Sequence, residues 1–263
     1  MRRPAAVFRV VLALGAMSLA PMADAQPQDG RQEGGPFEIE KCRTIDKTGS
    51  YKLVNDLTFS GTTTSNSIVG TCLTITASFV TIDLAGFTIT GPEADGRLNV
   101  TTAIAAQSSS GSLLGIAVRN GSISGFGSGV ALSSAGGSIV EGLRVFGGCP
   151  CAGTGIQANG VVRDNSAVGF VGPDGFGGVG IGATGIVTGN FVSGNKLGGI
   201  SIGQGSTVIG NTATDALGFD IAVTCPSNVT DNTTVNPAGD VGSIRLSGAG
   251  CNTTNNVGNV IGP

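Results

Sequence analysis

The chain has 263 residues, 46 of them Gly, with six Cys, one Tyr, eleven Phe and neither Trp nor His. Charged residues make up only 12%, with a formal charge of −3, so no basic stripe is offered to nucleic acid or to an anionic membrane. The lack of His excludes any Ser or Cys hydrolase that needs a His base, and the Cys spacing lacks the second pair that a zinc site would need.

Residues 1–25 read as a Sec-type signal peptide. Arg2 and Arg3 form the charged region, Val10 to Ala20 the apolar stretch, and Ala23-Asp24-Ala25 the cleavage signal. That apolar run is too short to span a bilayer, and no later segment reaches the roughly 18 apolar residues a membrane helix needs. The expectation is a secreted or periplasmic protein without a membrane span, its mature chain starting near Gln26. Residues 26–36, QPQDGRQEGGP, are polar and rich in Gly and Pro, which predicts a disordered leader. Residues 37–79 supply Ile39, Ile45, Tyr51, Leu53, Leu57 and Phe59 without an evident repeat, and are expected to form an N-terminal cap and the first coil.

From residue 80 to 263 one unit recurs. VTIDLAGFTITG (80–91) alternates apolar and polar residues, turns at Gly, and alternates again, predicting strand, tight turn and strand. VRNGSISG (118–125), IVEGLRV (139–145), VVRDNSAV (161–168), IVTGNFV (186–192), VIGNTAT (208–214) and NVTDNTTV (228–235) follow the same grammar. Asn120, Gly142, Asn165, Asn190, Asn211 and Asn232 are read as the turn residues. A second strand follows in each unit, at Val130, Ile156, Ile181, Ile200, Ile221 and Ile244. A coil of 20–25 residues cannot bury its apolar face alone but can against the coils above and below, so the prediction is an all-β, right-handed parallel β-helix, a solenoid. Asn tolerates left-handed backbone and can donate and accept at once, so stacked Asn side chains are expected to form a ladder.

Six Cys in an exported chain point to disulfides. Cys42 with Cys72 would staple the N-terminal segment to the first coil, and Cys225 with Cys251 lie about one repeat apart. Cys149-Pro150-Cys151 stays open between a local clip, two buried thiols and a strained, redox-labile pair.

The pattern resembles the secreted right-handed β-helix repeat proteins of the pectin lyase-like superfamily, in particular members of unknown function. Cys42 through Gly49-Ser-Tyr51-Lys-Leu53 to Asp56-Leu57, then Cys72-Leu-Thr-Ile75, VTIDLAGFTITG and VRNGSISGFGSGV carry the likeness. It implies a fold shared by lyases, polygalacturonases, epimerases and non-catalytic surface proteins, so it does not select an activity. No Asp-Asp pair occurs, which speaks against the two-carboxylate hydrolase. A lyase or epimerase would need an Arg or Lys base and, commonly, Ca²⁺ on acidic groups. The residues available for this are Arg119, Glu141 and Asp164, read as one column just before the turn, with Arg144 and Arg163 nearby and Glu141 and Asp164 as the calcium candidates. The two G-x-G-x-x-G matches within 175–185 lie inside a β repeat and do not predict a nucleotide site. The first expectation is therefore an exported, non-catalytic β-helix scaffold or surface protein with a polysaccharide as candidate ligand and no cofactor. The alternative is a polysaccharide lyase or epimerase. Oligomeric state is not legible.

Overall fold

The computed structural model describes residues 35–92, 97–109, 111–147, 153–172, 178–235 and 243–262. The signal peptide, most of the leader, Cys149 and Cys151 lie outside them. The described chain is a right-handed parallel β-helix with three faces. Face A runs through Tyr51, Ile82, Val118, Val140, Val162, Val187, Val208 and Val229, each paired in parallel with the next. Face B begins with Leu57 and Ile89 and continues through Ile123, Val145, Ala167, Val192, Ala213 and Thr234. Face C carries Leu73, Ile104, Val130, Ile156, Ile181, Ile200, Ile221 and Ile244.

Alternation explains the faces. A strand points successive side chains to opposite sides, so the apolar residue of each V-x-x or I-x-I triplet enters the solenoid while its neighbours face out. The inward residues just named are almost all below 5% exposed, and together they form one continuous core. Residues 37–79 already belong to these faces: Phe37–Ile39 pairs with Gly49–Leu53 and Arg43–Ile45 with Ser67–Ile75, both in parallel. Their apolar residues show no regular spacing because the coils are unequal: Phe37 pairs with Tyr51, and Tyr51 with Ile82 across a longer coil that holds a short antiparallel excursion, Thr62–Thr63 against Ile68 and Val69. Cys42–Cys72 and Cys225–Cys251 are both bonded, as their spacing predicted. Among the described residues no helix is long and apolar enough to cross a membrane.

The corner between faces A and B has two residues. The first is left-handed: Asn120, Gly142, Asp164, Gly189, Gly210, Asp231 and Asn255 all have φ between 52° and 64°. The second points inward, and from the third coil of this series onward it is Asn: Asn165, Asn190, Asn211, Asn232 and Asn256. Each Nδ2 donates to the next Oδ1, at 3.1, 2.9, 3.0 and 3.0 Å. The same Oδ1 atoms accept the backbone N–H of the preceding Asn at 3.0 Å or less. The expected ladder is present, with a changed membership: Asn120 and Gly142 occupy the left-handed position, not the inward one. Asn120 is exposed and donates instead to Asp83 Oδ1 at 3.3 Å.

The inward position at the start of face C is glycine on four successive coils, Gly129, Gly155, Gly180 and Gly199, because face B side chains crowd it. A Cβ on Gly155 would sit 2.8 Å from Phe170 Cε2. Asp220 follows Gly199 in this column, between the paired Gly198–Phe219 and Ile200–Ile221. It is 3% exposed. Its Oδ2 accepts the Ser243 N–H at 2.9 Å, while Oδ1 has no hydrogen-bond partner among the described residues. Desolvation by burial raises its pKa above the usual carboxylate value.

Two outcomes follow for stability. Replacing Asn211 by Ala leaves the Asn190 N–H and Nδ2 short of an acceptor inside the corner, and buried unsatisfied groups cost about 1–3 kcal/mol each. Equilibrium denaturation should show a loss of about 3 kcal/mol for Asn211→Ala and under about 0.5 kcal/mol for Asn120→Gly, whose site is exposed and already left-handed. For Asp220 the raised native pKa means that the unfolded chain ionises first as pH rises. The native state is then favoured at low pH and loses that advantage above the unfolded value. Thermal melts of Asp220→Asn should match wild type near pH 3 and exceed it progressively from pH 4 to pH 7; a difference independent of pH would rule out the buried carboxylate as its cause.

Candidate groove at the corner of faces A and B

Register decides which charged residues meet. The outward column before the corner is Glu38, Lys52, Asp83, Arg119, Glu141 and Arg163, each paired with the next. The signs alternate at every step. Arg119 Nε lies 3.4 Å from Asp83 Oδ2, and Arg163 Nε donates to Glu141 Oε2 at 2.7 Å, with Nη2 in contact with the same oxygen. This corrects the expected column of Arg119, Glu141 and Asp164. Arg163 is the residue in register with Glu141, and Asp164 stands one place further on, at the left-handed corner position. A lyase site built on Arg119 and Glu141 would have to break ion pairs they already make. The calcium candidates Glu141 and Asp164 lie in different columns, and among the described residues no three His, Cys, Asp or Glu side chains converge as metal ligands.

Arg144 and Asp164 do come together, in a groove of about 580 Å³ along the corner. Glycine at the left-handed position hollows it. Asn120 leans onto Gly142, its Oδ1 3.4 Å from where a Cβ would stand, and Asp164 leans onto Gly189, its Oδ1 2.7 Å from the equivalent point. The side chain of one coil thus fills the space that the next coil leaves empty. The far wall is the first outward column of face B, Ser122, Arg144, Ser166, Phe191 and Thr212, paired in that order. Arg144, Ser166 and Phe191 line the groove. Arg144 is exposed and makes no ion pair among the described residues. Phe191 is 44% exposed, as is Phe146 in the next outward column. With parallel strands about 4.8 Å apart, Arg144 and Phe191 stand about 10 Å from each other along the solenoid.

Sequence reasoning named Arg144 and Asp164 but missed Ser166 and Phe191. The available signal was positional: Ser166 and Phe191 each directly follow a ladder Asn, and Arg144 follows Leu143, which occupies the same inward position. The groove is chemically mixed. It offers a guanidinium, a carboxylate, a hydroxyl and an aromatic ring on a rigid sheet, a set suited to a polar ligand with an apolar face.

No protein-family model matches the chain, and no curated protein sequence does. Among solved structures, the Dettilon tailspike protein gp208 is similar at a TM-score of 0.43 and 12% identity over 84% of this chain. The chain spans 60% of that protein's length.

The ion-paired column should prove structural and weak. Exposed pairs contribute up to about 1 kcal/mol, so a double-mutant cycle on Glu141→Ala and Arg163→Ala, followed by denaturant unfolding, should return a coupling energy below about 1 kcal/mol.

Proposed function

We propose that this protein is an exported, non-catalytic β-helix that presents the groove of Asn120, Arg144, Asp164, Ser166 and Phe191 to a polysaccharide. The observation that carries this reading is Arg144, which makes no ion pair among the described residues, and the half-exposed Phe191 in one outward column, about two coils apart. A guanidinium accepts a carboxylate or sulfate fork-on-fork, and an aromatic ring stacks on the C–H face of a pyranose. Export is supported by the signal-like N-terminus and the two disulfides, which belong to an oxidising compartment. Phe146, in the adjoining outward column, offers a further half-exposed ring.

The alternative, a polysaccharide lyase or epimerase, would use two charges of the groove, Arg144 as base and the carboxylate of Asp164 beside it. Incubation with pectate and alginate in Ca²⁺, read by unsaturated-product absorbance and by NMR of epimerised residues, separates the two readings. The binding reading expects no product. It also expects a glycan array to return an acidic glycan whose affinity falls roughly tenfold in Arg144→Ala and in Phe191→Ala, with unchanged melting temperature. An array without hits, or hits indifferent to both substitutions, would remove the groove from consideration.

A further inference from the structure

Face A carries an apolar rank on its outer side. Ala117, Ile139, Val161 and Ile186 stand on four successive coils, each paired with the next. Each directly precedes an inward valine, and Val118, Val140, Val162 and Val187 are fully buried, so the alternation of the strand turns the rank outward. Ile139 remains 37% exposed and Ile186 48%, although both have Val161 as a neighbour in the rank. The coils above and below therefore do not cover them. Thr81 and Thr207 hold the places at the two ends of the rank, so the backbone accepts a polar residue here and does not itself call for Ile.

Two residues further along the same strands runs the column of Asp83, Arg119, Glu141 and Arg163. Arg119 pairs with Asp83 and Arg163 with Glu141 within the chain, yet the two Arg side chains stay 44% and 51% exposed. Their alternation in sign has a consequence for symmetry. Two copies packed face to face about a twofold axis along the solenoid would set every charge against itself. A twofold axis along the strands instead reverses the order of the coils while each column still faces its own copy. If that axis passes midway between two coils, opposite charges meet at every level where both residues are charged. The apolar rank selects the level. With the axis between Ile139 and Val161, each Ile139 lies over Val161 of the second copy and each Ala117 over Ile186. Glu141 then lies over Arg163, joining the two internal ion pairs into a square of four charges.

We infer that face A is a self-association surface, closing an antiparallel twofold dimer through the Ile139–Ile186 rank and the Glu141–Arg163 pairs. Sheets packed this way interdigitate their outward side chains about 10 Å apart. The patch covers about 20 Å along the solenoid and about 10 Å along the strands, at the small end for protein pairs, so the dissociation constant should be micromolar. The groove at Arg144 lies beyond the next corner and takes no part.

Sedimentation equilibrium of the full chain tests this, and should show a reversible monomer–dimer equilibrium. Ile186→Lys should weaken association at least about tenfold with the melting temperature nearly unchanged, because the side chain lies outside the core. Arg144→Ala, on face B, should leave association as it is. Glu141→Arg and Arg163→Glu should each be monomeric alone, since like charges then meet across the axis. Mixed in equal amounts they should form a heterodimer, since each then meets the opposite charge of the other. The inference is overturned if the protein stays monomeric at about 1 mM, if Ile186→Lys associates as strongly as wild type, or if mixing the two charge variants restores no dimer.

Discussion

The structure depends on how a β-helix satisfies the backbone at its tightest corner. Where face A turns into face B, the chain passes through one left-handed residue, and the next residue faces the core with its N–H pointing along the solenoid and no strand to meet it. A buried, unpaired amide is costly. The asparagine column removes that cost: one side-chain oxygen takes both the N–H and the Nδ2 of the Asn before it, and its own Nδ2 hands the pattern on to the next coil. Because the donor and acceptor geometry repeats with the coil, the ladder also fixes register. A slip of one residue would bring Gly or Asp into the column and leave amides unpaired on several levels.

Register is maintained differently at the two ends. From Glu38 to Arg163 the outward column alternates in sign, so each coil meets an opposite charge above and below. From Asn165 onward the column turns to Thr188, Ile209 and Thr230, and the buried Asn ladder takes over. Arg163 and Asn165, two residues apart, mark the exchange. The groove straddles this point, which places it where both devices hold the backbone. Arg144, Ser166 and Phe191 thereby stand on rigid strands, with their spacing set by the sheet and their rotamers free to meet a ligand.

Much of this was legible in the residues because a solenoid writes its period into the chain. Alternating Val and Ile triplets and recurring Asn identified the coils, and local Cys spacing identified both described disulfides. The error lay in treating the corner as one residue. Asn120 and Asn165 are both corner asparagines, yet the first supplies left-handed backbone and the second a buried amide. The distinguishing feature is the dipeptide: Asp-Asn, Gly-Asn and Asn-Asn carry a ladder residue in second place, whereas Asn120-Gly121 reverses the order. That one-residue ambiguity put Asp164 in the ion-pair column in place of Arg163, and so joined Arg119 and Glu141, which pair within their column, to a groove residue. The outward Phe rings were overlooked, since hydrophobicity alone does not say which side of a strand a residue takes; Phe191 becomes legible only once Asn190 before it is known to point inward.

The central claim is that the corner asparagines, not the strands alone, hold the coils together. Hydrogen exchange of the individual backbone amides, followed by NMR in the native state, reads this directly. The account predicts that the amides of Asn190, Asn211 and Asn232 exchange as slowly as those of Val187 and Val208 in the adjoining strands. Exchange at the faster rate of the exposed left-handed corner would contradict it.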